Sequence, residues 1–329
     1  MKPAALNLGL LGLVVLFFLV SLAVGSAGLG ITDSITGIIA GGSDVGGIIM
    51  REIRLPRAIL ALAIGFTLGM SGAVLQGFLR NPLAEPGLIG VSGMASLGAV
   101  ILFYLGLAGN TLYALPAGAL LGALIAVALL LALAARSSST LTLILAGVAL
   151  SSLAGALTSL VLNLSPNPFA SYEIIFWLLG SLKDRSMEHV WLALPLMITG
   201  WLLIALSGRT INALSLGEEA AASLGISLPR ARAMIVLGVA LGVGAATAVA
   251  GGIGFVGLVV PHLLRPFTDG VPNRLLLPSG LGGGALLLAA DTVCRVVLPA
   301  GELNVGVVTA LIGAPFFLWL VVRTRREAA

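Results

Sequence analysis

Charge is scarce along this chain. Asp, Glu, Lys and Arg make up 9% of its 329 residues, where a soluble domain carries about a quarter. So few ionic groups cannot clothe a water-exposed surface, and a soluble fold is excluded. Lysine is rarer still. Only Lys2 and Lys183 occur and neither follows a glycine, so no G-x-x-x-x-G-K-[ST] loop exists and the chain has no P-loop of its own for ATP. Cys294 is the sole cysteine. It excludes an internal disulfide, leaves the compartment to be read from topology, and suits a small apolar packing position. His189 and His262 stand far apart, with no HExxH or Cys/His cluster beside them, which argues against a metal site. A serine-centred nucleophile elbow is missing as well. The pI of 9.8 comes from 17 basic residues spread along the chain, which gives no nucleic-acid patch.

What is present is apolar. Hydrophobic residues make up 59% and the mean hydropathy is +1.14. A helix needs about 20 apolar residues to cross the hydrocarbon. Ten stretches qualify, near Leu6–Val24, Ala58–Phe78, Leu88–Leu107, Tyr113–Ala134, Leu141–Leu164, Val190–Ser207, Ala231–Ala250, Phe255–Leu264, Leu275–Leu298 and Val305–Val322, the eighth being short. Leu6–Val24 lacks a small-x-small cleavage site followed by a soluble domain, so it is read as a span and not as a signal peptide. The expected fold class is an all-α polytopic membrane protein of about ten transmembrane helices, with residues 1–329 forming one transmembrane domain.

Orientation follows from the basic residues. With the N-terminus inside, Arg51, Arg54, Arg57, Lys183, Arg185 and Arg295 fall outside. Lys2, Arg80, Arg136, Arg209, Arg230, Arg232, Arg265, Arg274, Arg323, Arg325 and Arg326 fall in the cytoplasm, the direction of the positive-inside rule. An even number of spans places both termini in the cytoplasm.

Within the spans, small residues recur four apart: Gly65/Gly69, Gly118/Gly122, Gly238/Gly242 and Gly280/Gly284. Such pairs let helices pack closely in lipid. The segment GGIGFVGLVVPHLLR (Gly251–Arg265) contains G-x-G-x-x-G, but an apolar helix precedes it where a dinucleotide site needs a strand. It reads as a broken membrane helix. Two further segments look helical without spanning. SYEIIFWLLGSLK (Ser171–Lys183) suits the outer interface, with Tyr172 and Trp177 in the aromatic belt. INALSLGEEAAASLG (Ile211–Gly225) is either a solvated loop or a pair of short helices docking on a partner, with Glu218 and Glu219 as acceptors for basic groups there.

Ionisable residues inside the spans are nearly absent. Asp291 and Arg295 lie four apart near the outer end of the ninth, placed to pair. A proton or sodium relay needs more than this, so the driving force belongs on another subunit. In the fifth span, Ser151, Gly155, Thr158 and Ser159 recur at steps of three and four and share a face. Helix packing accounts for such a face; so does the lining of a translocation route, with Ser138, Ser139 and Thr140 below as a cytoplasmic gate and the segment around Trp177 closing the outer side.

Four stretches then read together: REIRLPRAILALAIGFTLGMSGAVLQGFLRNPLAEPGLIGVSG (Arg51–Gly93), LGEEAAASLGI (Leu216–Ile226), GGIGFVGLVVPHLLR (Gly251–Arg265) and ELNVGVVTALIGAPFF (Glu302–Phe317). In this order they closely resemble the permeases of type II ABC importers, the FecCD or BtuC-like family, from about Arg51 to the C-terminus. The resemblance implies a non-catalytic ten-helix subunit that forms a homodimer around a central pathway. It implies two cytoplasmic ATPase subunits that bind the ATP, so that this chain carries no cofactor, and a periplasmic or lipid-anchored substrate-binding protein. Arg54, Arg57 and Arg295 would meet glutamates of that binding protein. Leu216, Gly217, Glu218, Glu219, Ala221, Ala222, Leu224 and Gly225, within coupling helices at about 211–226, would seat on the ATPase. The family carries ferric siderophores, haem or cobalamin, and a ferric siderophore is the first expectation. Asn304 stands where the family commonly has proline, and Val271–Arg274 reads VPNR in place of a more usual D-H-R. A stand-alone secondary transporter is the rival from another class; a membrane-embedded enzyme lacks any catalytic cluster.

Overall fold

The computed structural model describes residues 3–24, 45–109, 111, 113–136, 140–165, 168–297 and 303–328, and among them the only regular secondary structure is helical. In chain order the helices are α1 (Pro3–Ala23), α2 (Leu55–Phe78), α3 (Val91–Tyr104), α4 (Ala114–Arg136), α5 (Thr140–Leu164), α6 (Pro168–Leu178), α7 (Met187–Leu206), α8 (Gly208–Leu214), α9 (Glu218–Ser223), α10 (Leu228–Ala250), α11 (Val256–Leu264), α12 (Pro272–Val297) and α13 (Val305–Ala328). Seven are long and apolar enough to span a membrane: α1, α2, α4, α5, α7, α10 and α12. The shorter α3 and α11, and α13 with an apolar part confined to Val305–Leu320, fill the remaining three expected spans.

Two expected spans differ in detail. A helical lead-in at Val45–Ile49 and a π-helical turn at Met50–Arg54 run straight into α2, lengthening it outward. The expected span 88–107 opens with a 3₁₀ turn (Pro86–Ile89), and its α-helix begins only after Gly90. Pro86 and Gly90 account for this, because proline starts a turn well and the left-handed Gly90 stops it continuing into the helix.

The centre of the bundle is α2 against α12. Gly65 and Gly69 of α2 lie on the backbone of Ser279 and Gly283 of α12, so close that a Cβ on Gly65 would stand 2.3 Å from the Gly283 carbonyl oxygen. Lipid supplies no hydrophobic drive between helices, and backbone proximity of this kind holds them instead. A polar bond adds to it: Trp201 Nε1 of α7 donates to Thr67 Oγ1 of α2 at 2.8 Å. Around this pair, α10 packs on α7 and α4, and α3 packs on α4.

Helix α5 stands apart. Only 17% of its apolar window is buried, against 83% for the segment containing α2 and 78% for α10. It touches α3, the 3₁₀ turn before α3 and the edge of α4. Leu141, Leu145, Leu153, Leu160 and Leu164 project from it exposed.

Candidate functional site

Three regions carry the residues singled out by sequence. At one end of the bundle, the C-terminus of α1, the start of α2 and the last turns of α12 converge on Asp291, which is fully buried. Arg57 donates through Nε and Nη2 to its carboxylate at 2.8–3.1 Å, and Arg295 Nη2 lies 3.1 Å from Oδ2. Arg295 Nη1 also donates to the carbonyls of Ser21 and Val24 at 2.8 and 2.7 Å, and Arg54 Nη1 to that of Leu22 at 2.8 Å. These carbonyls are the unpaired acceptors at the end of α1, where a cation is favoured by both hydrogen bonding and the helix dipole. The expected pairing of Asp291 with Arg295 is present. The guanidinium heads of Arg54, Arg57 and Arg295 turn into the chain, where a buried carboxylate and orphan carbonyls hold them.

The second region lies along α5. Ser151, Gly155, Thr158 and Ser159 flank the buried side formed by Leu143, Leu150 and Ala154, and the flank is open. Gly155 has nothing within 4 Å of the place where a Cβ would sit. Ser151 Oγ donates to the Gly87 carbonyl at 3.2 Å, and Ser159 Oγ bonds back to Gly155 at 3.0 Å. Thr140 opens α5, while Ser138 and Ser139 lie outside the described residues. The outer segment forms α6, which begins earlier than expected, at Pro168, and stops at Leu178. Tyr172 is exposed, whereas Trp177 is buried. Its ring is buried in edge contact with Phe103 at 6.5 Å, because α6 folds onto α3 and takes the indole with it.

Sequence reasoning missed Glu85. The connection between α2 and α3 turns back into the bundle, so that Pro86 packs beside Gly257 of α11, opposite Leu68 of α2. Glu85 Oε1 there accepts the N–H of Phe255, whose left-handed conformation (φ 67°) ends the break between α10 and α11. A cavity of about 210 Å³ lies beside it, lined among others by Ser92, Val243 and Gly254. Burial raises the Glu85 carboxyl above the ordinary glutamate range, and the Phe255 N–H opposes the shift. The signal in the sequence was an acid wedged between Pro82 and Pro86, joining two apolar stretches.

The third region is the helical pair α8–α9, which exists as two short helices. The first begins at Gly208, three residues earlier than expected. Not all of its named residues face outward. Ala221 is fully buried, and Glu218 Oε2 accepts from Arg232 Nη2 at 3.0 Å, so these two fasten the pair to its own chain. The outward surface is Leu216 (71% exposed) and Leu224 (66%), with Glu219 and Ala222 between them and Gly217 half-buried. Gly225, expected to permit close approach, has open space around it. Its φ of 81° shows that glycine is needed for the turn into α10.

With this geometry in hand, comparison with known proteins gives a consistent result. The profile of the FecCD transport family matches residues 13–323. The Bacillus subtilis protein described as an uncharacterized ABC transporter permease, YvrB, is 42% identical over 284 residues, 84% of this chain and 80% of its own length. The vitamin B12 import system permease BtuC of Vibrio cholerae is 45% identical over 275 residues, 83% of this chain and 82% of its own. Among solved structures, an inward-facing conformation of a putative metal-chelate type ABC transporter superposes with a TM-score of 0.86 at 32% identity, covering 97% of this chain and 99% of that one.

Proposed function

The chain belongs to the FecCD transport family, and from that premise we propose that this ABC importer permease forms the membrane route for a bulky metal chelate delivered by a binding protein. The observation that carries the proposal is the open flank of α5. Ser151, Gly155, Thr158 and Ser159 lie on a helix that the rest of the chain leaves largely uncovered. Hydroxyls facing hydrocarbon are unfavourable, so this flank suits a second copy of the chain across an aqueous axis. Small, weakly polar groups also suit a ligand that must leave as readily as it enters.

ATP hydrolysis then belongs to separate cytoplasmic subunits, with Leu216 and Leu224 of the α8–α9 pair as the contact surface. The permease itself is non-catalytic and needs no cofactor. At the opposite end, Arg54, Arg57 and Arg295 order the ends of α1, α2 and α12 into the floor on which the binding protein sits, and Arg57 keeps 17% of its side chain accessible for a charge contact. The cobalamin permeases among the relatives support a corrinoid as cargo, ahead of a ferric siderophore or haem. The metal-chelate transporter among the solved structures supports the wider class.

Proteoliposomes holding the permease with a partner ATPase and binding protein test this. ATP-dependent accumulation of labelled cyanocobalamin, against a ferric siderophore and haemin, is the expected result for one of the three. Uptake driven by an ion gradient without ATP would replace the proposal with a stand-alone secondary transporter.

A further inference from the structure

At the end of α2 away from Asp291, a cavity of about 250 Å³ opens between α2, the 3₁₀ turn Arg265–Thr268, the α8–α9 connection and the start of α12. Arg80 and Arg265 both line it. Arg265 Nη2 donates to Gln76 Oε1 at 2.9 Å, and the buried Gln76 amide is itself fixed, donating to the carbonyls of Gly257 and Leu258 at 3.3 Å. This strut orients the Arg265 guanidinium without neutralising it. Among the described residues no carboxylate pairs with either arginine, and the neighbouring Asp269 is held by Arg274 at 2.9 Å.

Arg80 adds a second, independent sign. It lies just beyond the C-cap of α2 with a left-handed backbone (φ 49°), where glycine is the usual occupant. A residue bearing Cβ adopts that conformation at a cost of about 1–2 kcal/mol, and strain of this kind points to a use for the side chain. Two guanidiniums without an anion, facing one cavity, are half of an oxyanion site. By the positive-inside orientation, on which this inference rests, this end of the bundle meets the inner leaflet, and basic pockets between helices there take lipid phosphates. Leu263 and Phe267, exposed by 52% and 47% on either side of Arg265 in the chain, offer apolar surface for acyl chains.

We propose that Arg80 and Arg265 form a binding site for the phosphate of an anionic inner-leaflet lipid, wedged between the end of α2 and the α8–α9 connection. Native mass spectrometry of the detergent-purified permease with dioleoylphosphatidylglycerol, against dioleoylphosphatidylcholine, tests it without regard to orientation. The phosphatidylglycerol adduct should persist in the wild type and in the Arg80→Lys/Arg265→Lys pair. It should weaken about fivefold for each guanidinium removed in Arg80→Gln and Arg265→Gln. Equal retention in the doubly Gln-substituted protein overturns the site. A parallel thermal-unfolding titration with inorganic phosphate distinguishes the source: stabilisation by phosphate with no response to phosphatidylglycerol overturns the lipid and leaves a soluble phosphate ligand. If the Gln variants do not fold, the wild type decides, and no saturable response to either probe overturns the proposal.

Discussion

Arg57 of α2 closes on Asp291 of α12 through three hydrogen bonds of 2.8–3.1 Å, and the carboxylate it grips is fully buried. Asp291 is therefore the counter-charge that lets Arg57 and Arg295 sit inside the bundle. Asp291→Ala leaves both guanidiniums without it, and breaking a buried pair from one side costs about 3–5 kcal/mol. Thermal unfolding in detergent should show a large fall in the midpoint. An unchanged midpoint would mean that water already solvates the arginines. By the same reasoning, Arg57→Glu or Arg295→Glu places a second carboxylate beside Asp291 and should abolish folded protein before docking can be measured.

The α8–α9 pair divides into residues that hold it and residues it presents. Leu216→Glu with Leu224→Glu changes only exposed positions and should cut capture of the partner ATPase subunit while leaving the unfolding midpoint in place. Ala221→Leu inserts bulk at a fully buried position and should lower stability by about 1–3 kcal/mol through overpacking. A pull-down beside a melting curve separates the two. Equal ATPase capture by the Leu216/Leu224 variant would move the contact elsewhere.

Periodicity and length made the spans legible, because lipid forces every backbone group in a span into helix. The glycine pairs were legible for a related reason: in lipid, close backbone approach is the available means of packing, and Gly65 and Gly69 meet backbone as expected, although on α12 the contact falls on Ser279 and Gly283 while the expected Gly280 and Gly284 face the side chains of Phe66 and Leu62. The direction in which a long side chain turns was not legible. Arg54, Arg57 and Arg295 have Cα positions that fit an outer rim, but their partners are the end of α1 and Asp291, at a sequence separation of 31–32 residues for Arg54, 234 for Arg57 and 271–274 for the α1 contacts of Arg295. Glu85 was hidden for the same reason, since the partner that gives it meaning, Phe255, is 170 residues away.

On α5, cysteines at Gly155 and Ser159 in a Cys294→Ala background should react quickly with aqueous thiol reagents and cross-link between two copies. Both positions are exposed, and no side chain covers Gly155. A cysteine at Ser151 should react more slowly, because Ser151 is half-buried against the Gly87 carbonyl. Cys294 is buried and so a poor target for the reagents, and its replacement by alanine removes only one sulfur atom from the core. Protection of all three positions in every nucleotide state would take the pathway off this helix.

Glu85 joins the returning connection to the helix break, and through Gly87 that same connection touches α5. Burial raises its carboxyl pKa, so the ionised form is disfavoured in the folded state. The stability it contributes is fully present below the ordinary glutamate pKa of about 4.3 and is lost as pH rises through the elevated folded value. Glu85→Gln is neutral at every pH and keeps an oxygen for the Phe255 N–H. It should therefore equal or exceed the wild type in stability at neutral pH, with the difference closing as pH falls toward about 4. Glu85→Ala removes the acceptor, leaving a backbone N–H unpaired at a cost of about 1–3 kcal/mol. Once the latch is gone, the connection carrying Gly87 is freed from α11, and a cysteine at Ser151 should label faster. Melting curves from acid to neutral pH, with thiol labelling of Glu85→Gln, Glu85→Ala and Glu85→Met, decide between a latch and a spacer: a spacer is preserved by the similar-sized methionine, whereas a latch loosens in Glu85→Met as in Glu85→Ala and holds only in Glu85→Gln, where one hydrogen bond still ties the broken helix to the pathway wall.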